Sequence, residues 1–500
     1  MGDLPPIDAD GRTAVPIAVA PLWADHCFQG RAVLPAVAAL ELLATWARRA
    51  RPDLHVHDLR HATFDKFLEL PPDGAPIPAW CELRELPGGA LRAALITKTQ
   101  ARSAKMTRAK VHARVDFHPP EAVAPPAALD LAAALAGCCF TVDPEPLYRE
   151  LVPFGPAFQT IRRPLWVTAE GALSVIGAPA DDPADALLGA SRVLDAALHA
   201  ACVWSQRHAG IVAFPVGFER RVVVRPTRPG DTYVSRIFPV GAEGGALTFD
   251  IWILDLDGRA CELLQGVAMR DVSGGTLRPP AWVRSGTEDR LAPIDPFCAA
   301  RVLIERATVM PFAERCLSAA ERQRTVKMSP KRRTDYCSSR LALKRLFRRL
   351  AGEDHRTPAT QIHTLAADGV RPALGLSGLH GSVAHDRRFT VALAARTPIG
   401  VDVEQVADRV LKSLPIFARE TEQTLVAVSP LGQAGAAIRV WTIKEAAAKL
   451  LGIPLADAWG RARVVEIGPD RSRVAIAAGP AVAACHAELE GHLITLLVPL

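Results

Sequence analysis

Two stretches of the chain, residues 35–50 and 190–208, are apolar on most sides, and each leads into a series of strand-like runs. A helix that is apolar nearly all round has no face to give to water and must be buried. Strand candidates lie at 77–86, 90–100 and 105–117 after the first helix, and at 220–227, 231–240, 246–255 and 259–270 after the second. An antiparallel sheet wrapped around one central helix would bury it, and the chain holds these ingredients twice over. The first helix opens at Pro35, tolerated in a first turn because that N–H has no helical partner, and stays apolar until Arg48 and Arg49.

Two loop-like stretches divide the chain. Residues 118–128 are too rich in proline for a regular element, and 273–296 mix glycine, proline and charge. The expected class is α+β: a double hot dog over residues 1–272, with halves at about 1–118 and 129–272, a linker at 273–297, and a further domain over 298–500. Five hundred residues suit roughly two to four domains, and an apolar fraction of 49% is ample for their cores. The ten cysteines include no Cys-x-x-Cys pair, which argues against both a zinc site and a disulfide framework and for a reducing cytosol. Met1 to Pro16 lack a basic start followed by an apolar stretch, so no signal peptide is expected. No apolar run reaches membrane-spanning length, so the expected setting is cytoplasmic with no membrane partner. The net charge of +6 is mild but concentrated: Lys331 to Arg349 hold eight Lys/Arg against Asp335 alone. Such a run reads as a nucleic-acid patch or a solvated helical face. No aromatic interleaving accompanies it, so no nucleic-acid partner is expected.

The C-terminal domain carries the densest chemistry. In Gly400-Val401-Asp402-Val403-Glu404, strand alternation puts Asp402 and Glu404 on one face. In Trp441-Thr442-Ile443-Lys444-Glu445-Ala446-Ala447-Ala448-Lys449, helical spacing puts Glu445 and Lys449 one turn apart. Alone, that pair reads as a surface ion pair. Together the two runs offer three carboxylates and a lysine, suited to holding Mg²⁺ against a pyrophosphate, because this hard cation takes a few carboxylates and completes its shell with water and phosphate oxygens.

These runs resemble the signature of surfactin-type 4'-phosphopantetheinyl transferases, a Gly-x-Asp-x-Glu strand followed by a Trp-x-x-Lys-Glu-x-x-x-Lys helix. Upstream, Leu317 to Arg322 and Lys331 to Arg340 look like that family's N-terminal helices, ending at a coenzyme A-contacting arginine. Gly369-Val370-Arg371-Pro372 looks like its Gly-Lys/Arg-Pro turn. Ser382-Val383-Ala384-His385-Asp386 stands where the family has a Ser-His pair, with Ala384 in the serine's place. The resemblance covers roughly 298–500 and implies a two-lobed domain. Its activity would be to move the phosphopantetheine arm of coenzyme A onto a serine of an apo acyl carrier protein. It implies Asp402, Glu404 and Glu445 as Mg²⁺ ligands, with Glu445 also deprotonating the serine and Lys449 neutralising charge on the phosphates. Arg340, Arg371 and His385 would grip the coenzyme A phosphates. The basic run then meets a polyphosphorylated substrate and an acidic carrier.

The N-terminal chemistry starts at His26, in a His-x-x-x-Gly-x-x-x-x-Pro string that includes Gly30 and Pro35. Alone, His26 reads as a loop or satisfied core histidine. Asp195 stands among Val193, Leu194, Ala196, Ala197 and Leu198. It reads either as a first-turn capping carboxylate or as an acid held neutral by desolvation. With Phe154-Gly155-Pro156-Ala157-Phe158-Gln159 between them, these residues resemble polyketide synthase dehydratase domains. The double hot dog of that family brings a His from the first half against an Asp from the second. Here Phe154 stands where a tyrosine or histidine is usual, which removes a polar contact. Phe214 to Phe218 and Asp257 to Ala260 look like the family too.

That resemblance spans roughly 10–272 and implies loss of water from a 3-hydroxyacyl thioester on an acyl carrier protein. His26 would take the C2 proton, and Asp195, if kept protonated, would protonate the departing hydroxyl. Backbone N–H groups at the start of the helix after Gly30 would polarise the thioester carbonyl. His199, one turn after Asp195, either orients it or packs the core. The implied whole is a bifunctional enzyme serving one carrier protein. The alternative is an active transferase whose hot dog half only binds that carrier. A hot dog sheet edge can also pair across a two-fold axis, giving a homodimer.

Overall fold

A computed structural model of the chain describes residues 12–100, 107–121, 126, 128–130, 140–285, 287–306, 313–351, 358–366, 372–477, 479 and 482–499. It divides into two units, Met1–Ala128 with Thr141–Ser285, and Leu129–Phe140 with Gly286–Leu500.

In the first unit both apolar stretches are buried helices. One runs Ala36–Ala50, with Leu40, Leu43, Ala44 and Ala47 enclosed and Arg48 and Arg49 exposed. The other runs Ser191–Trp204, and every side chain from Arg192 to Val203 is buried. It continues as a π-turn over Ser205–Ala209 and stops at Gly210, in the left-handed conformation. The two helices pack on each other and on the sheet.

That sheet has twelve strands. The first half supplies β1 (Arg12–Ala14), β4 (Asp58–Thr63), β5 (Trp80–Glu85), β6 (Leu91–Gln100) and β7 (Thr107–Phe117), while β2 (Cys27–Phe28) and β3 (Arg31–Ala32) form a separate hairpin. The second half supplies β8 (Phe140–Val142), β9 (Leu165–Thr168), β10 (Gly171–Gly177), β11 (Phe214–Val223), β12 (Thr232–Glu243), β13 (Ala246–Leu254) and β14 (Ala260–Arg270). The order is β1-β5-β6-β7-β4-β11-β14-β13-β12-β10-β9-β8. The strand following each central helix, β4 or β11, lies at the seam, and the next three run outward from it in matching order. This is the double hot dog. β11 begins six residues before the position expected from the sequence. Pro215 and Gly217 read as breakers there, and the strand absorbs them in a bulge against β14.

The second unit has two lobes. In one, β15 (Ala300–Glu305), β16 (His380–His385) and β17 (Phe389–Ala395) form a sheet of order β15-β17-β16, covered by the helix Pro330–Ala351. In the other, β18 (Gly400–Gln405), β19 (Ala462–Glu466), β20 (Arg471–Ile476), β21 (Val482–Leu489) and β22 (His492–Pro499) form the order β18-β22-β21-β20-β19, covered by the helix Gln433–Leu451.

Each lobe pins its long helix by a buried lysine. Lys344 donates to Glu321 at 2.6 Å and to the carbonyls of Cys316 and Ala359. Lys444 donates to Glu422 at 2.7 Å and to the carbonyls of Trp459 and Ala462. The basic run is therefore not one solvated face: Arg340, Lys344, Arg345 and Arg348 are buried, and Lys331, Arg332, Arg333 and Arg349 are exposed.

The division between the units falls inside the run read as a linker, between Ser285 and Gly286, and the run packs on both sides of it. Val283 is buried in the first unit, and Leu291 and Ile294 join a core of the second. Among the described residues no helix is long and apolar enough to cross a membrane.

Candidate active sites

His26 directly precedes the β2–β3 hairpin, whose turn is Gln29-Gly30, with Gly30 at φ 76°. The Val33 N–H donates to the His26 carbonyl, and His26 Nδ1–H donates to the Val33 carbonyl at 3.1 Å. The second bond fixes the tautomer, so Nε2 is the nitrogen with a free lone pair. That nitrogen lies 3.9 Å from Asp195 Oδ1, and His199 Nε2 lies 2.8 Å from Asp195 Oδ2. The capping reading of Asp195 fails, because the residue is the fifth of its helix and faces the two imidazoles. Pro35 sits immediately before the first helix, which starts without a side-chain cap.

The Gly155-Pro156 turn positions His26 through its neighbour. Gly155 N–H donates to the Asp25 carbonyl and Ala157 N–H to Asp25 Oδ2, both at 2.8 Å. A Cβ on residue 155 would lie 2.4 Å from Asp25 Cγ, so only glycine fits. Phe154 stacks on the His26 ring at 4.4 Å and approaches His199 at 5.1 Å. These groups line an apolar chamber of about 660 Å³ shared by both halves. A cavity of that size suits a small organic ligand.

Desolvation by burial lowers the pKa of His26, keeping the ring neutral. The expectation that an apolar setting keeps Asp195 protonated needs correction. Burial pushes its carboxyl up, but the imidazoles of His199 and His26 outweigh that and hold it below the ordinary carboxylate range.

In the second unit Asp402 and Glu404 lie on β18 and Glu445 and Lys449 on the helix that covers it. The helix packs close because residue 400 is glycine: a Cβ there would meet the Ala446 carbonyl oxygen at 1.9 Å. Lys449 Nζ donates to Asp402 Oδ1 and to the Val401 carbonyl, both at 2.9 Å. Burial, followed by neighbouring carboxylates, pushes Glu404 up to about 7. Burial also raises Asp402 and Glu445. Asp402 Oδ2 is buried without a hydrogen-bond partner. A concentration of negative charge with an orphaned oxygen fits a divalent cation. Among the described residues, however, these three carboxylates do not form a trio with ligand atoms all within 4.8 Å of one another.

The comparisons with known proteins agree with both halves of this picture. Residues 126–279 match the family described as "Polyketide synthase dehydratase N-terminal domain". Residues 398–497 match the "4'-phosphopantetheinyl transferase superfamily". The chain joins a polyketide synthase-type dehydratase domain to a 4'-phosphopantetheinyl transferase domain. Solved structures similar to the dehydratase unit include the dehydratase domain of a mycocerosic acid synthase-like synthase, at 19% identity over 53% of this chain and 91% of that one, TM-score 0.43. A trans-AT synthase dehydratase domain from Brevibacillus brevis aligns at 22% identity over 53% and 94%, TM-score 0.44. The dehydratase domain of RzxB from Pseudomonas fluorescens aligns at 18% over 53% and 96%, TM-score 0.42. Among curated proteins no match was found.

The remaining residues expected in the transferase site are spread out. His385 neighbours Lys449, Asp335, Arg306 and Asp386, and its pKa is lowered chiefly by burial. Arg340 is buried, donates to the Thr364 carbonyl at 2.6 Å and lies over the Tyr336 ring. Arg371 lies outside the described residues.

Sequence reasoning missed three residues. Asp386 adds a fourth carboxylate beside Glu404, and its Oδ2 lies 3.1 Å from His492 Nε2. Asp25 anchors the Gly-Pro turn. Tyr148 accepts the Ile161 N–H at 3.0 Å and lies 3.5 Å from His199 Nδ1. Adjacency to His385 and His26 was a usable signal for Asp386 and Asp25. Tyr148 had none.

Proposed function

We propose that the chain is a bifunctional enzyme acting on acyl carrier protein, with the dehydratase over 1–272, the transferase over 298–500 and residues 273–297 as the joint. It would remove water from carrier-bound 3-hydroxyacyl thioesters and load the 4'-phosphopantetheine arm of coenzyme A onto the apo carrier serine. The observation that carries the dehydratase reading is the free lone pair of His26 Nε2 facing Asp195 inside an apolar chamber.

In the dehydration, His26 Nε2 removes the C2 proton, the electron pair forms the C2–C3 double bond, and the C3–oxygen bond breaks. The departing hydroxyl takes a proton and leaves as water. Because Asp195 is held below its ordinary range, that proton belongs to the Asp195–His199 pair, and Asp195 delivers it from the side facing the chamber. The uncapped start of the helix Ala36–Ala50 offers N–H groups to the thioester carbonyl.

In the transfer, the serine oxygen bonds to the β-phosphorus of coenzyme A while the bond to 3',5'-ADP breaks. The raised pKa of Glu445 suits it to accept the serine proton, and Lys449 offers its ammonium to the phosphate oxygens. Transferases of this superfamily use coenzyme A and typically a divalent metal. Mg²⁺ held by Asp402, Glu404 and Glu445 would neutralise the pyrophosphate charge. Free thiols at the described cysteines fit a cytoplasmic setting.

The test is intact mass of an apo carrier protein incubated with the chain, Mg²⁺ and 3-hydroxyacyl-CoA. The wild type is expected to add the acylated arm and then lose one water. His26→Ala should add the arm and keep the water, and Asp402→Ala should add nothing. A His26→Ala protein that still dehydrates would sink the dehydratase assignment. A wild type that never loses water, whatever the chain length, would leave the hot dog half as a carrier-binding platform.

A further inference from the structure

We propose that His61, Asp116 and His118 form a site for a transition-metal dication of the zinc class, on the dehydratase unit and apart from its chamber. Each residue offers one ligand atom, and these atoms lie within 4.8 Å of one another, the sole such trio among the described residues. None of the three lines the chamber. His61 Nδ1 is 3.3 Å from Asp116 Oδ2, and the two imidazole centroids are 6.4 Å apart. His118 Nε2 is buried and has no hydrogen-bond partner. A buried ring nitrogen without a partner is costly unless something binds it.

The backbone is shaped to bring the three together. On β4 and β7, Arg60 pairs with Asp116 and Thr63 with Arg114, so β4 spends three residue steps where β7 spends two. That extra residue is a bulge. By strand alternation the residue after Arg60 would point to the face opposite Asp116. Instead His61 takes φ 50° and turns its ring back onto the carboxylate. Left-handed backbone is unfavourable for a side-chain-bearing residue, and charge balance alone does not call for it. Arg92 already forks Asp116 at 2.6 and 2.8 Å, and the His61 ring is 67% exposed, where an ion pair gains little.

The ligand chemistry selects the ion. Two imidazole nitrogens and one carboxylate oxygen suit Zn²⁺, Co²⁺ or Ni²⁺, whereas Mg²⁺ and Ca²⁺ take oxygen sets. Zinc-class bonds near 2 Å place tetrahedral ligand atoms roughly 3.4 Å apart. His61 and Asp116 already stand at about that spacing, and the remaining closure is toward His118. Arg92 orients Asp116 for the ion and, by its charge, keeps the affinity moderate. A bound ion would clip β4 to the end of β7 beside the seam of the two hot dogs. The inference does not depend on the proposed activities.

The test uses the full chain, stripped with chelator and titrated with Co²⁺ in excess Mg²⁺, which saturates the oxygen-only carboxylates of the transferase unit. Visible absorption and calorimetry are the readouts. The wild type is expected to take up one equivalent with the visible bands of imidazole-ligated cobalt. His118→Ala should lose those bands, and His61→Ala should weaken uptake about tenfold or more. Because the His61 ring is exposed, its removal leaves packing intact and serves if His118→Ala fails to fold. Asp402→Ala should keep the bands. A wild type without these bands, or a His61→Ala protein with unchanged spectrum and affinity, would overturn the proposal.

Discussion

Asp195 has one imidazole at each oxygen, and the groups behind those imidazoles decide which way protons move. The Val33 carbonyl takes the Nδ1 hydrogen of His26 and leaves Nε2 bare. Tyr148 already accepts the Ile161 N–H and lies 3.5 Å from His199 Nδ1, so its phenol holds that edge of the ring while Nε2 faces Asp195. Tyr148→Phe keeps the ring and removes this control. Dehydration should lose about tenfold in kcat, a fraction of what a general acid–base group contributes, with KM and arm transfer little changed. The pH profile separates positioning from packing. His26 is lowered by burial from 6.5, so its neutral form persists as pH falls, and the acid limb should lie below that value in both proteins. Only the alkaline limb, which reports the group that protonates the departing hydroxyl, should move in the variant. Identical profiles with a uniform loss of active protein would reduce Tyr148 to a core residue.

At the scale of elements, one sequence run can carry chemistry on one face and architecture on another. Trp441 to Lys449 reads as a site motif, and Glu445 and Lys449 do face β18. Lys444, 100° round the helix, points to the rear, where it and Glu422 are both fully buried. The motif's spacing was legible. The partner was not, because Glu422 lies 22 residues upstream and nothing local marks it. β4 was missed for a related reason. Asp58-Leu59-Arg60-His61-Ala62-Thr63 is short and polar, and it becomes a central strand only because β7 and β11 flank it. The two buried helices needed no partner to be recognised, since an all-apolar surface states its own requirement. Breaking the Lys444–Glu422 pair strands a buried charge, so Lys444→Met should cost about 3–5 kcal/mol in unfolding of the transferase unit. Lys444→Met with Glu422→Leu should recover much of that loss, because two apolar side chains leave no charge unpaired. Denaturant titration of the wild type, both single variants and the double variant measures it. Equal losses in the single and double variants would mean that the carbonyl contacts of Lys444, not its charge, hold the helix.

At the scale of the whole molecule, the division between the units falls inside the glycine-, proline- and charge-rich run at 273–297, while nothing local in the sequence marks the contact that Asp130 makes. Leu129 and Asp130 follow the proline-rich stretch and read as the start of the second hot dog half, and the dehydratase family match includes them, while the Asp130 carboxylate accepts the Ala359 N–H at 2.9 Å. The two units also differ in what pH does to them. In the transferase unit burial and mutual repulsion raise Asp402, Glu404 and Glu445, Glu404 from 4.5 to about 7. Between those values the folded unit holds more protons than the unfolded chain, so the stability that Glu404 contributes is fully present below 4.5 and is lost as pH rises through about 7. A dication reverses the sign, because it binds the deprotonated carboxylates and competes with protons. In calorimetry the transferase transition, identified by its loss in Lys444→Met, should fall in temperature from about pH 5 to about pH 8 without metal. Added Mg²⁺ should raise it far more at the upper end than at the lower, and leave the dehydratase transition where it was. A magnesium shift of equal size at both ends would mean that these three carboxylates are not the group the ion displaces protons from.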